Sequence, residues 1–257
     1  MAKRGKTMNV LILGATGGTG RALIQQALAR GHVVTAFARD PTKIQAAHKD
    51  LVVVKGDILN YQSVEAAIKG QEAVLSALGI RVRVGFIVVL AVACQVFARF
   101  AAPSGPWGWF VRVGVPVLAI LIAGRKKTTL SEGTKNIVQA MEKLGVKRFI
   151  CESSLGIGDS KGQLGFLYNF ILIPLFLRNV FADKEMQEKI IKDSKLDWVI
   201  VRPARLTNGP RTAVYRCGFS VADKSIRGRI SRADVADFML AQLTENAYLG
   251  KTPGLSY

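Results

Sequence analysis

Apolar and polar positions along the chain follow two alternating rhythms. Short, mostly β-branched apolar runs at Asn9–Leu13, Val33–Ala38, Leu51–Lys55, Ala73–Leu75, Arg148–Cys151 and Trp198–Arg202 read as strands. Between them, apolar residues recur at helical spacing. Over Gly18–Arg30 they are Leu23, Ile24, Ala27 and Leu28, with Gly31 as the stop. Val64–Lys69, Ser131–Leu144 (ended by Gly145) and Asp183–Asp193 are the next helices. Ser231 and Asp234 have capping-box spacing before Val235, Phe238 and Met239, which predicts a final helix. Strands alternating with helices in this order predict an α/β fold built on a doubly wound parallel sheet.

Two stretches break the rhythm. Residues 80–127 contain no acidic residue and carry apolar runs at Val84–Ala98 and Val113–Gly124, separated by the Pro/Gly/Trp turn Pro103–Trp109. Leu164–Leu177 is uncharged. These runs are 15, 12 and 14 residues long, whereas a spanning helix wants about 20. A membrane-surface contact through 84–124 is one expectation; a packed helical insert is the other. The expected organisation is a basic tail, 1–7, followed by a single domain, 8–257, with an apolar insertion at 80–127 after the fourth strand. Met1–Thr7 leads directly into the first strand, so it reads as a tail and not as an export signal.

Composition narrows the function classes. With 49% hydrophobic and 21% charged residues in 257, disorder is excluded. The net charge of +18 first points to nucleic acid, a membrane surface or an anionic small ligand. Seven of those charges lie in the acid-free insert and three in the tail, which leaves eight on the remainder. No nucleic-acid motif accompanies them, so nucleic acid is not an expected partner. The cysteines Cys94, Cys151 and Cys217 are widely spaced without a CxxC pair, and the histidines His32 and His48 have no ligand-like neighbours. Neither a disulfide framework nor a metal site is expected, and the expected setting is cytoplasm or an organelle stroma or matrix, with peripheral membrane association through the insert.

The chemistry begins at Gly14-Ala-Thr16-Gly17-Gly18-Thr19-Gly20, directly after the first strand and opening the first helix. The first glycine permits a tight turn, the second a close approach of backbone to a pyrophosphate, and the third close helix–strand packing. The helix N-terminus then receives the phosphates. In this strand–loop–helix context the motif predicts a Rossmann-like dinucleotide site. At the end of the second strand stands Ala38-Arg39-Asp40-Pro41. Arg39 suits a 2′-phosphate through its planar fork, and Arg21 adds a second positive group, so NADP (NADPH) is the expected cofactor; Asp40, serving a ribose hydroxyl, is the alternative. Asp57 and Ile58 are candidates for the adenine side, and Ala77, Leu78 and Gly79 for a shelf under the nicotinamide-side ribose. Turn chemistry is the competing reading for both.

Taken together with Gly145-Val-Lys-Arg-Phe-Ile-Cys-Glu-Ser153-Ser154 and Val201-Arg202-Pro203-Ala204, these motifs resemble the atypical short-chain dehydrogenase/reductase group, and within it the NAD(P)H-binding branch similar to biliverdin reductase B/flavin reductase. The resemblance covers Met8–Gly79 and Thr128–Val235. It implies that Ser153 and Ser154 lie beside the nicotinamide, that Lys184 faces the cofactor, and that the backbone of Arg202, Pro203 and Ala204 holds the carboxamide. The group's usual Tyr-x-x-x-Lys acid is absent, because the positions four after the tyrosines are Glu65, Leu172, Phe219 and Thr252, and Tyr257 has none.

The expected activity is therefore an NADPH-dependent reduction of a conjugated hydrophobic acceptor, such as a flavin, a biliverdin-like tetrapyrrole or a quinone. A non-catalytic NADP(H)-sensing module is the alternative. Gly165–Leu177 reads equally as a lid over a flat substrate or as a core helix. Residues 80–127 depart from the resemblance, either as a membrane-associating or oligomerising insertion or as untrimmed non-coding sequence.

Overall fold

The computed structural model describes residues 6–79, 128–160, 178–218 and 228–257. The elements are β1 (Asn9–Leu13), α1 (Gly18–Ala29), β2 (Val33–Ala38), β3 (Leu51–Lys55), α2 (Tyr61–Ile68), β4 (Ala73–Ser76), α3 (Thr129–Leu144), β5 (Arg148–Glu152), α4 (Arg178–Lys192), β6 (Asp197–Pro203), β7 (Arg205–Thr207), β8 (Arg216–Cys217), β9 (Arg229–Ser231), α5 (Arg232–Ala241) and β10 (Gly254–Ser256). The main sheet runs β3-β2-β1-β4-β5-β6-β10-β8. Its pairings are parallel except β10–β8. The order reverses between β1 and β4, and in such sheets a ligand crevice opens at the carboxyl ends of the strands at this point.

Strand β1 explains the two layers. Val10 and Ile12 face a core shared with Leu23, Ile24 and Ala27 of α1 and with Val235, Phe238 and Met239 of α5. Leu11 and Leu13 face the opposite core, with Val64 and Ile68 of α2 and Ile137 and Met141 of α3. Side chains alternate across a strand, so a central strand covered on both faces is apolar at every inward position. At the other extreme, β3 is an edge strand and exposes Val52 and Val53.

The predicted strands and helices are all present, with some ends shifted by one to five residues. Helix α2 starts at Tyr61 and not at Val64, because Asn60 caps it by accepting from the Ser63 backbone N–H at 3.0 Å. Helix α4 starts at Arg178 and not at Asp183. Ser231 caps α5 by accepting from the Asp234 N–H at 2.9 Å, as its spacing predicts. The return contact differs from a capping box: the Ser231 N–H bonds Tyr257 Oη at 3.1 Å, and that hydroxyl donates to Asp234 Oδ2 at 2.6 Å. The short strands β7 to β10 were not foreseen, because pieces of two or three residues carry no readable period and exist through pairings to distant segments. The segments 80–127 and 161–177, with the expected insert and the whole of the expected lid, lie outside the described residues. Among the described residues no helix is long and apolar enough to cross a membrane.

Candidate active site

The loop between β1 and α1 is shaped by glycine at two positions in particular. Gly14 has φ +77°, and a Cβ there would collide with the carbonyl of Ala77 at the end of β4. A Cβ at Gly20 would strike the carbonyl of Gly14. The first position thus needs the left-handed conformation and the second the close helix–strand approach. Helix α1 has Gly17 as its N-cap, with no side-chain cap and no acid in its first turn. Its leading N–H groups and the positive end of its dipole are left for an anion.

This loop forms one wall of a cleft of about 710 Å³. Of the sequence-derived candidates, Thr16, Gly17, Gly18, Thr19, Arg21, Ala77, Leu78, Gly79, Ser153, Ser154 and Lys184 line it. Gly14 and Gly20 shape the wall from behind. Four further lining residues, Glu152, Leu206, Asn208 and Arg232, escaped the sequence reading. Arg232 lies across the glycine loop, where a Cβ at Gly18 would collide with its Cδ, and its Nη1 donates to Asn208 Oδ1 at 2.6 Å. The one available signal for Glu152 is an acid directly after the apolar run Phe149–Cys151 of its strand.

Lys184 is positioned by its neighbour. Asp183 is buried and receives the backbone N–H groups of Leu130 (2.9 Å) and Ser131 (3.0 Å), together with the Ser131 hydroxyl at 2.5 Å. A carboxylate of α4 thereby caps the N-terminus of α3. This fixes the first turns of α4, and with them Lys184 at the cleft wall.

Several of the candidates are engaged in bonds within the protein. The Ser153 hydroxyl donates to Glu188 Oε1 at 2.7 Å. Glu188 is in turn held by Arg202, whose Nε donates to Oε1 at 3.0 Å and whose Nη2 donates to Oε2 at 2.6 Å. All three are buried, so the hydroxyl proton of Ser153 is committed inside the protein. The backbone of Arg202–Ala204 is likewise occupied: the N–H groups of Arg202 and Ala204 bond the carbonyls of Pro253 and Leu255 at 2.9 Å each, and the Pro203 carbonyl accepts from Leu155 at 3.0 Å. These three residues do not line the cleft; Leu206 and Asn208, a few positions on, do. Asp57 and Ile58 also lie off the cleft. Asp57 Oδ1 accepts from the Leu59 N–H at 3.0 Å, and Ile58 packs where Gly133 leaves room on α3. Both serve the turn that leads into α2.

At the end of β2, Arg39 is exposed and does not line the cleft. Asp40 is tied down locally, accepting from Thr42 Oγ1 at 2.6 Å and pairing with Lys43 Nζ at 2.7 Å; these bonds hold its carboxyl below the usual range. Glu152 has the opposite bias. Its burial raises its pKa, opposed by the charges of Lys184 and Arg232 and by the bond from Thr19. Burial also pushes the Cys151 thiol up to about 12. Among the described residues no tyrosine lines the cleft.

The residues present fit a dinucleotide: a glycine cradle without Cβ atoms, an open helix N-terminus and two arginines beside it. The NAD(P)H-binding family model matches residues 14–97 and 114–246. The chain belongs to the NAD(P)H-binding family. Of the segment 80–127, only 98–113 falls outside that match. An uncharacterized chloroplastic protein of Arabidopsis thaliana is 30% identical over 247 residues, covering 93% of this chain and 73% of its own length. Among solved structures, the chain is similar to a short-chain dehydrogenase/reductase from Veillonella parvula in complex with NADP (TM-score 0.68, 16% identity, 98% of this chain and 95% of that one). It is also similar to ChuY, an anaerobilin reductase of Escherichia coli O157:H7 (TM-score 0.67, 20% identity, 96% of each chain). At these identities the likeness establishes the fold, which is Rossmann-like as the sequence predicts.

Proposed function

We propose that this member of the NAD(P)H-binding family is an NADPH-dependent reductase of a conjugated, hydrophobic acceptor such as a flavin, a biliverdin-like tetrapyrrole or a quinone. The observation that carries the reading is the cleft itself, which joins the glycine loop to Ser154 and Lys184 with no tyrosine among the described residues. Bound NADPH would supply a hydride to the acceptor. The glycine loop, the α1 N-terminus and Arg232 would hold its phosphates. Arg21 and Arg39, with Asp40 engaged by its own turn, support preference for the 2′-phosphate of NADPH. Ser154 and Lys184 would orient the acceptor. Conjugated acceptors suit this site because they delocalise the incoming electron pair themselves, so the protein's task is orientation. The bilin reductase among the similar folds supports the tetrapyrrole class.

One observation favours the sensor alternative: the Ser153 hydroxyl, which the resemblance brings to the substrate, donates to Glu188 instead. The two readings separate in one assay. Purified chain is given NADPH with flavin, biliverdin or quinone, beside a Lys184→Ala control. Acceptor-dependent NADPH oxidation, reduced in the control, supports the reductase; tight NADPH binding with no turnover of any acceptor supports the sensor.

A further inference from the structure

The cleft contains an acid that neither the sequence motifs nor the family resemblance assigns. Glu152 ends β5, is 6% exposed and lines the cleft between Thr19 and Lys184. Its Oε1 accepts from Thr19 Oγ1 at 3.1 Å. Lys184 from α4 and Arg232 from α5 are the charged groups that face it. Neither forms an ion pair with it among the described residues.

We infer that Glu152 is the proton donor of the site, carrying the proton on Oε2 and delivering it to the reduced acceptor in place of the missing tyrosine; the delivery rests on the reductase reading above. Two observations support a neutral carboxyl. A buried acid with one neutral hydrogen-bond donor and no bonded cation keeps its proton more tightly than one in water, in the direction that its burial dictates. The same wall also presents the anion-binding glycine loop, where a carboxylate would repel a pyrophosphate but a neutral acid does not.

The step balances. The acceptor gains two electrons and one hydrogen as hydride from the reduced nicotinamide, which becomes oxidised. The remaining proton leaves Glu152 Oε2 for the acceptor heteroatom or carbon that bears the negative charge. Lys184 and Arg232 then stabilise the carboxylate until solvent returns a proton. Lys184, a cation facing Glu152 from the same cleft, is a positioning and charge-balancing group in this scheme.

The test has two readouts. Infrared spectra of the ligand-free chain at neutral pH are predicted to show a protonated-carboxyl band that Glu152→Gln removes; a Thr19→Val variant, which deletes the hydrogen bond, should shift it, and serves if Glu152→Gln does not fold. Absence of the band in folded wild type overturns the inference. In the second readout, acceptor reduction by wild type should fall on the alkaline side as Glu152 ionises. Glu152→Gln should lose that limb together with about 100-fold in kcat, the scale of general acid catalysis, while its NADPH affinity is retained. A band present with an unchanged pH profile and rate in Glu152→Gln overturns the donor role. A band present in a chain that turns over no acceptor contradicts the reductase reading, and with it the delivery, while leaving the proton on Glu152 established.

Discussion

Ser153 and Glu188 share a 2.7 Å hydrogen bond in which the serine is the donor. Serine at the end of β5 is the residue that family resemblance brings to the substrate, yet here its proton ties β5 to α4. Glu188 also neutralises Arg202 of β6, which is 2% exposed. The arrangement is a buried ion pair completed by a hydroxyl, and removing one partner of such a pair leaves a buried charge.

Ser153→Ala should therefore act on stability more than on chemistry. Loss of one hydrogen bond to a charged group predicts about 1.5–3 kcal/mol, whereas Glu188→Ala, which removes the carboxylate paired with the buried Arg202, predicts about 3–5 kcal/mol. Chemical denaturation of the two variants checks the order. If Ser153→Ala instead leaves stability intact and abolishes turnover, the hydroxyl works in the cleft.

Arg39→Ala should weaken NADPH binding and leave NADH binding nearly unchanged, since only the 2′-phosphate distinguishes the two. A charge-assisted contact predicts about 1.5–3 kcal/mol, or roughly ten- to a hundredfold in Kd. Titration of intrinsic fluorescence with each cofactor measures both constants. Equal affinity of the wild type for the two would contradict the assignment of Arg39.

Stability should depend on pH through Glu152. Burial raises the folded-state value above the ordinary 4.5, so between these two values the folded state binds more protons than the unfolded chain. Stability then falls as pH rises through that window and levels off above it. Glu152→Gln removes this contribution, so the difference in unfolding free energy between variant and wild type should change from the acid to the alkaline end of the window in the variant's favour. A pH-independent difference would mean that Glu152 titrates as it does in water.

The cysteines should react unequally. Cys151 is buried with its thiol pushed up to about 12, while Cys217 is exposed and within 2.9 Å of Tyr248 Oη. A thiolate-directed alkylating reagent should label Cys217 in the folded chain and Cys151 only after unfolding. Peptide mass mapping with and without denaturant distinguishes them, and labelling of Cys151 in the folded chain would contradict its burial.

The sheet was legible in the sequence because the central strands are apolar at consecutive positions and the helices carry one apolar face, as β1 and α1 do. The glycine loop was legible for a stronger reason: Gly14 and Gly20 stand where a side chain has no room. What the sequence did not show is pairing at a distance. The bonds of Glu188 to Ser153 and to Arg202, and the use of Asp183 as a cap for α3, join residues 35, 14 and 52–53 positions apart. Arg232 and Asn208 likewise reach the cleft from segments whose local pattern, a helix start and a short loop, carries no catalytic signature.

The central claim is two-electron transfer from NADPH to an organic acceptor, and transfer of label tests it most directly. The chain is mixed with NADPH bearing deuterium at both C4 positions and with a biliverdin-like tetrapyrrole, and the reduced pigment is weighed by mass spectrometry. The account predicts one deuterium in the product at a non-exchanging carbon, and its loss on Lys184→Ala together with turnover. NADPH that binds but yields no reduced pigment, flavin or quinone would contradict it and leave a cofactor-sensing protein.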